Sequence, residues 1–307
     1  MKNLFSVISI FVLISILNAC KQNKETFDST ETINSKTFVF DLEGHRGARG
    51  LLPENTLAAF EKAIEIGVNT LEMDVVVTAD HQLLVSHEPW FNRQICLDSL
   101  GQTIKDTLNI YKHTYLQTLK YDCGSLGNPN FIDQKKQFAT KPLLKDVLQM
   151  VESYAKLNNQ KVSYNIEIKS LPAGDNTFHP ELELFADLLV ALLENHAIPN
   201  DRLILQSFDF RVLQYVRKNY PKYRLAALVY KDDVQTNLNE LGFTPEIYSP
   251  LHTLLTEQVV DEIHQKVMKV VPWTVNDTTR IRELLSWGVD GIITDFPNIA
   301  IQMKTKS

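Results

Sequence analysis

In the stretch TLEMDVVV, Glu72 and Asp74 stand two residues apart inside an otherwise apolar run. Side chains alternate along a strand, so both carboxylates point to one face, about 7 Å apart, while Leu71, Met73 and Val75 take the other. Two carboxylates in such a setting are costly unless something positive lies between them. The stretch YNIEIKS repeats the pattern, with Asn165, Glu167 and Lys169 on one face and Ile166 and Ile168 on the other. Should both faces turn inward, three carboxylates and a lysine converge. Glu72, Asp74 and Glu167 then make an oxygen-only ligand set, which suits one hard divalent cation, Ca²⁺ or Mg²⁺, rather than zinc. Taken singly, each pair reads equally as the solvated polar face of an edge strand.

Two histidines occupy matching places. His45 ends the first strand candidate, and His87 ends LLVSH, just after the carboxylate strand. Hydrolysing a phosphodiester requires one group to take a proton from the attacking oxygen and another to give one to the leaving alcohol, and paired imidazoles do both near neutral pH. Arg46 can hold a phosphoryl oxygen with its planar fork of donors. His81, His113, His179, His196, His252 and His264 have no comparable placement and read as structural. In HRGARGLLPENTLAAF the glycines let backbone approach a ligand closely. Asn55 is then expected to cap the first outer helix, with Leu57, Phe60, Ala63 and Ile64 as its buried stripe and Glu54 as an acid at its start.

The elements that must position these groups alternate along the chain. Strand candidates are TFVFDLEG, TLEMDVVVTAD, VSYNIEIK, DRLILQSF, YRLAALVY, PEIYSP, MKVVPWTV and DGIITDF. Helical periodicity marks TLAAFEKAIEIG, KPLLKDVLQMVESYAK, HPELELFADLLVALLENH, FRVLQYVRKNY, TEQVVDEIHQK and DTTRIRELLSWG. About eight strand–helix units predict an α/β fold of the TIM-type (β/α)₈ barrel class; an open doubly wound sheet would usually stop at about five or six strands. Segment 88–141 breaks the rhythm, with aromatic residues scattered among Gly, Asn and Asp. It reads as an insertion after the second strand, over the barrel mouth.

The chain has 307 residues, 44% hydrophobic and 22% charged, enough for one large barrel, and its net charge of −6 offers no basic stripe for nucleic acid. Lys2 followed by LFSVISIFVLISIL reads as a signal peptide over residues 1–20, ending in the lipobox-like LNAC. The expectation is an exported bacterial lipoprotein, periplasmic or outer-membrane anchored, held to the membrane through lipidated Cys20. Residues 21–36 read as a polar, flexible tether, and 37–307 as the barrel domain. An oxidising compartment would allow Cys96 and Cys123 to pair; two free thiols are the alternative.

Together these residues resemble the glycerophosphodiester phosphodiesterase family. The motifs that carry the resemblance are EGHRGARGLLPENTLAAF, GVNTLEMDVVVTADHQLLVSHE, NIEIK, QSFD, PWTVN and GVDGIITDFP, in family order. The resemblance implies a metal-dependent TIM-type barrel that hydrolyses glycerophosphodiesters to sn-glycerol 3-phosphate and an alcohol, by way of attack from the glycerol 2-hydroxyl or water. It assigns His45 and His87 to acid and base duty, Glu72, Asp74 and Glu167 to the metal, and Arg46 and Lys169 to the phosphate. Trp273 would wall the glycerol pocket. The family usually follows its second histidine with aspartate, whereas this chain has Glu88. The rival readings are a phospholipase C or lyase-type barrel acting on intact lipid, and a lipoprotein that only binds phosphodiesters.

Overall fold

The computed structural model describes residues 37–305. The expected signal segment, the tether and Cys20 lie outside the described residues.

Alternation along the strands decides which side chains meet. The strands are β1 (Asp41–Gly44), β2 (Thr70–Val77), β3 (Leu83–Val85), β4 (Ser163–Ile168), β5 (Leu203–Ser207), β6 (Arg224–Val229), β7 (Ile247–Pro250), β8 (Lys269–Val270) and β9 (Gly291–Thr294). Eight of them run parallel in the order β8-β7-β6-β5-β4-β2-β1-β9, while β3 lies antiparallel on β2. Backbone hydrogen bonds from Asp290 to Val270 (2.9 Å) and from Val275 to Ile293 (2.9 Å) draw the last strands together, so the sheet forms a nearly closed barrel. The first strand is shorter than TFVFDLEG suggests, and Trp273 lies just past β8, held in an isolated bridge with Leu251.

One set of strand side chains faces the helices. Leu42, Leu71, Met73, Tyr164, Ile166 and Leu205 belong to the main core between barrel and helices. The opposite set faces inward, where a small apolar cluster of Ile204, Ala226, Ile247, Val271 and Ile293 fills part of the interior. The register sets Glu72 beside Asn165, Asp74 beside Glu167, and Glu167 beside Gln206, so the inward polar residues of β2, β4 and β5 stack in layers. Such layering is the ordinary way a barrel interior is filled, and active sites sit at its carboxyl-terminal end.

The helices are α1 (Leu57–Ile66), α2 (Tyr115–Thr118), α3 (Leu144–Leu157), α4 (Leu182–Asn195), α5 (Phe210–Asn219), α6 (Val234–Leu241), α7 (Glu257–Gln265), α8 (Thr278–Ser286) and α9 (Pro297–Ala300). The α1 cap is Thr56 rather than Asn55: its hydroxyl accepts from the Ala59 amide at 3.2 Å. Phe60, Ala63 and Ile64 are buried as expected, but Leu57 is 41% exposed and lies outside the stripe. Helix α6 has no counterpart among the periodic segments, because only Val234, Asn237 and Leu241 are buried; Asp233 caps it.

Between β3 and α3 the chain forms a short 3₁₀ turn, α2 and loops. This segment is not structureless packing: Phe91, Ile95, Ile104 and Ile110 build a second small core against Val76 and Leu84. A disulfide joins Cys96 and Cys123 inside that core, which settles the pairing left open by the sequence.

Candidate active site

The loop after β1 positions the first histidine. Its backbone amide donates to Thr294 of β9 (3.0 Å), and Arg46 and Gly47 then take left-handed φ of 50° and 85°. A Cβ on Gly47 would lie 2.6 Å from the Ala59 carbonyl carbon, so only glycine lets the loop pack this close to α1. The His45 imidazole is buried with Nδ1 2.6 Å from Asp295 Oδ1 and Nε2 3.9 Å from Glu72 Oε2. Asp295 is itself fixed by Arg49, at 2.8 and 3.0 Å, and by the Asn276 amide at 2.7 Å. Burial pushes the His45 imidazole down to about 4, against the opposing pull of Asp295. A neutral ring with one nitrogen held by a carboxylate has a fixed tautomer, leaving the other nitrogen directed elsewhere.

Glu72, Asp74 and Glu167 converge: one oxygen from each lies within 4.8 Å of the others, and all three are buried. Neighbouring donors orient the three carboxylates. Glu72 accepts from the Arg46 amide (2.9 Å) and from Gln206 Nε2 (2.9 Å); Asp74 accepts from Asn55 Nδ2 (2.8 Å); Glu167 accepts from Lys169 Nζ (2.7 Å). Burial, then the charges of Asp74 and Glu167, push the Glu72 carboxyl well above its usual range. Burial also raises Asp74, but Arg46, His87 and Lys169 outweigh it and hold that carboxyl below its usual range. Three carboxyls in one buried space thus disfavour one another's charge. Buried carboxylate oxygens at this spacing can hold one hard divalent cation.

His87 reaches the same cavity from the loop after β3. Its Nδ1 lies 3.1 Å from Glu88 Oε1, and Asn92 donates to the same oxygen at 3.3 Å. Glu88 stands outside the carboxylate cluster, its buried Oε2 without a hydrogen-bond partner. Burial raises the Glu88 carboxyl, but the His87 bond and the charges of His87 and Lys141 overcome this and bring it down to about 2.

A cavity of about 120 Å³ is lined by His45, Arg46, Glu72, His87, Glu167 and Trp273, among others. Lys169 sits beside it, 3.8 Å from Asp74 Oδ1. Arg46 faces the cavity, but part of its fork is committed to Glu54 (2.8 Å) and Asp74 (3.3 Å). Trp273 is anchored by a bond from Nε1 to the Ser249 carbonyl (2.8 Å) and packs edge-on to Phe208.

Residues 45–299 match the glycerophosphoryl diester phosphodiesterase family. The chain belongs to that family. It is 30% identical over 271 residues to a glycerophosphodiester phosphodiesterase of Bacillus altitudinis, covering 85% of this chain and 96% of that protein. A solved structure from Silicibacter pomeroyi DSS-3 bearing the family's name superposes with a TM-score of 0.78 at 26% identity, over 87% of this chain and 95% of that one. An Oleispira antarctica phosphodiesterase, solved with its product sn-glycerol-3-phosphate, shares the fold with a TM-score of 0.69 at 22% identity, over 86% and 96% of the two chains.

Within this glycerophosphodiester phosphodiesterase, the structure brings His45, His87, Arg46, Glu72, Asp74, Glu167, Lys169 and Trp273 to one end of the barrel. Sequence reasoning passed over Asp295, Arg49 and Asn55 as site residues and read Glu54 as helix-start chemistry. Glu54 instead pairs with Arg46 and lies 3.7 Å from Arg49. Asn55 takes φ 55° and turns its amide onto Asp74. The one local signal for Asp295 is its place at the end of the last strand, in TDFP.

Proposed function

We propose that the chain hydrolyses glycerophosphodiesters to sn-glycerol 3-phosphate and an alcohol, using one divalent cation, Ca²⁺ or Mg²⁺, and paired histidines. The observation that carries this reading is the convergence of the Glu72, Asp74 and Glu167 oxygens beside two carboxylate-held imidazoles. A cation held by the three carboxylates would neutralise charge on the phosphoryl oxygens. Lys169 and the unengaged part of the Arg46 fork add positive charge at the same end of the cavity. His45 and His87 move the protons: one takes a proton from the attacking glycerol hydroxyl while the other gives one to the departing alcohol oxygen, and water then opens the resulting cyclic phosphate with the two roles reversed; where water attacks directly, the first step alone completes the hydrolysis. Which acts first depends on the side of phosphorus where the glycerol lies. Asp295 and Glu88 hold the two rings by Nδ1, so each Nε2 is the atom that exchanges a proton. Trp273 forms a wall for the glycerol.

The same reading makes residues 37–307 the catalytic domain, with 88–141 inserted over its mouth. Residues 1–20 are proposed as the lipoprotein signal, Cys20 as the lipidated anchor and 21–36 as the tether, which places the enzyme outside the cytoplasm, periplasmic or outer-membrane anchored. Metabolic labelling with a fatty acid, compared between wild type and Cys20→Ser, tests the anchor; equal labelling would exclude it.

The activity test is release of sn-glycerol 3-phosphate from glycerophosphocholine and glycerophosphoethanolamine with Mg²⁺, Ca²⁺ or EDTA, beside a Glu72→Ala control. Metal-dependent release that the control loses is expected. Release of a cyclic phosphate as the final product would favour the lyase reading, and no release from folded protein would favour the binding protein.

A further inference from the structure

The loop between β1 and α1 carries His45, Arg46 and Arg49 and belongs to no helix or strand. Its far half is braced from outside. Gln134, in the insertion, donates from Nε2 to the Arg49 carbonyl (2.7 Å) and to the Leu52 carbonyl (3.1 Å), and the Lys135 amide donates to the Leu51 carbonyl (2.9 Å). Gln134 is buried, and its Oε1 accepts from the Asn128 amide at 3.0 Å, so both polar atoms of the side chain are engaged. The segment that presents it, residues 124–139, is closed at its base like a strap. Asp122 Oδ1 accepts from the amides of Gly124 (3.0 Å), Ser125 (3.1 Å) and Ala139 (3.2 Å), and the Cys123 amide donates to the Ala139 carbonyl (2.7 Å). The disulfide then fixes Cys123 to Cys96. With its ends pinned, the strap loses less entropy when its middle makes a contact.

At Arg49 the strap meets the catalytic machinery. The Phe131 ring centre lies 5.1 Å from the Arg49 guanidinium carbon, and the ring packs edge-on to Phe296 at 5.7 Å. Arg49 turns its fork onto Asp295, with Nε 2.8 Å from Oδ1 and Nη2 3.0 Å from Oδ2, and the next amide, Gly50, donates to the Asp295 carbonyl at 2.9 Å. A bidentate pair fixes the plane of a carboxylate as well as its position. Asp295 in turn holds His45 Nδ1 at 2.6 Å. Neither Gln134 nor Phe131 lines the catalytic cavity.

Resting on the phosphodiesterase reading above, we infer that Gln134 and Phe131 are positioning residues for His45, acting through Arg49 and Asp295. Gln134 fixes the backbone from which Arg49 extends. Phe131 covers one face of the guanidinium and favours its charge there. Together they set the plane of the carboxylate that orients the imidazole. Burial of apolar surface is not what the strap is built for, since its Ile132 and Phe138 are 92% and 70% exposed. Its buried side chain is the amide that grips the Arg49 loop.

The test is a double-mutant cycle. Gln134→Leu keeps the size of the side chain and removes both donated bonds. Its kcat for glycerophosphoethanolamine should fall about ten- to a hundredfold with KM within about twofold of wild type, because a misplaced proton-transfer group slows the chemistry and leaves ground-state binding in place. In an Asp295→Asn background the orientation is already lost, so the same change should cost about twofold or less. Phe131→Leu decides the matter should Gln134→Leu fold poorly: a fall in kcat of about threefold that disappears in the Asp295→Asn background. Ile132→Ser, on the strap but facing solvent, should stay within about twofold of wild type. Unchanged kcat in the strap variants, or losses that multiply in full with that of Asp295→Asn, would overturn the inference. A second arm needs no turnover. In the enzyme without substrate, the Nδ1 proton that His45 donates to Asp295 is followed by proton NMR and identified by its loss in Asp295→Ala. It should exchange with water about tenfold faster in Gln134→Leu and Phe131→Leu, and at the wild-type rate in Ile132→Ser. Faster exchange supports the strap's role even if no diester is hydrolysed, and unchanged exchange would overturn it.

Discussion

His45 Nδ1 and Asp295 Oδ1 are 2.6 Å apart, although 250 residues separate them in the chain. Asp295 accepts from the imidazole, from Arg49 and from Asn276, so it holds the ring; burial raises its own carboxyl, but His45 and Arg49 outweigh that and keep it well below the usual range.

Asp295→Asn keeps the size of that carboxyl but can present an amide N–H to the ring, favouring the wrong tautomer. We expect kcat to fall about 10²-fold or more, on the scale of acid–base catalysis, with KM changed little. Steady-state kinetics on variant protein with a wild-type circular dichroism spectrum check this. A kcat within about threefold of wild type would show that the bond is only structural.

The carboxylate cluster predicts linkage between cation and stability. A cation at about 100 times its Kd should stabilise the fold by about 2.7 kcal/mol, seen as a rise of several degrees in Tm. Glu72→Gln should abolish that rise. It should also make the metal-free protein more stable than wild type at neutral pH, because burial and two like charges already disfavour the ionised Glu72. Thermal melts with EDTA, Mg²⁺ and Ca²⁺ decide both points.

Glu43 lies deeper in the barrel, fully buried, accepting from Asn165 Nδ2 at 2.8 Å with its other oxygen unpartnered. Burial, then the charge of Asp41, push its carboxyl up to about 8. A folded pKa above the unfolded value of 4.5 means the folded state keeps a proton that the unfolded chain releases. Its contribution to stability is therefore complete below pH 4.5 and is lost as pH rises through about 8. Glu43→Gln should flatten the alkaline side of the Tm–pH curve, gaining up to a few kcal/mol over wild type by pH 9. Parallel curves from pH 5 to 9 would exclude this origin.

Asn55 combines a left-handed backbone with the bond to Asp74. Gly in its place removes the bond alone, whereas Ala removes the bond and adds about 1–2 kcal/mol of backbone strain. Both variants should bind the cation equally weakly, and Asn55→Ala should be the less stable by about that amount. Metal titration and denaturant midpoints measured on the same two proteins separate the effects.

Much of the site was legible because its signals are local. Glu72, Asp74 and Glu167 could be read as converging because strand periodicity is a property of neighbouring residues, and the structure turns both polar faces into the barrel. Main-core residues such as Leu71, Met73 and Ile166 followed from the same alternation. Helix α6 escaped because its stripe is short and half polar. Asn55 was read as a cap because Asn commonly caps helices; its actual φ is imposed by the loop folding back on Arg46, whose carbonyl accepts the Asn55 amide at 3.0 Å.

By itself, then, the sequence determined the barrel class, which carboxylates share one strand face and the two histidines at strand ends, since each depends on residue type and on spacing within a few residues; that those faces turn into the barrel came from the structure. Only the tertiary structure decided that Asp295 would hold His45, that Glu54 would pair with Arg46, and that Gln134 would brace the Arg49 carbonyl. Those partners come from elements far apart in the chain. Closing the barrel and docking the insertion bring them within contact distance, and no local periodicity encodes that approach.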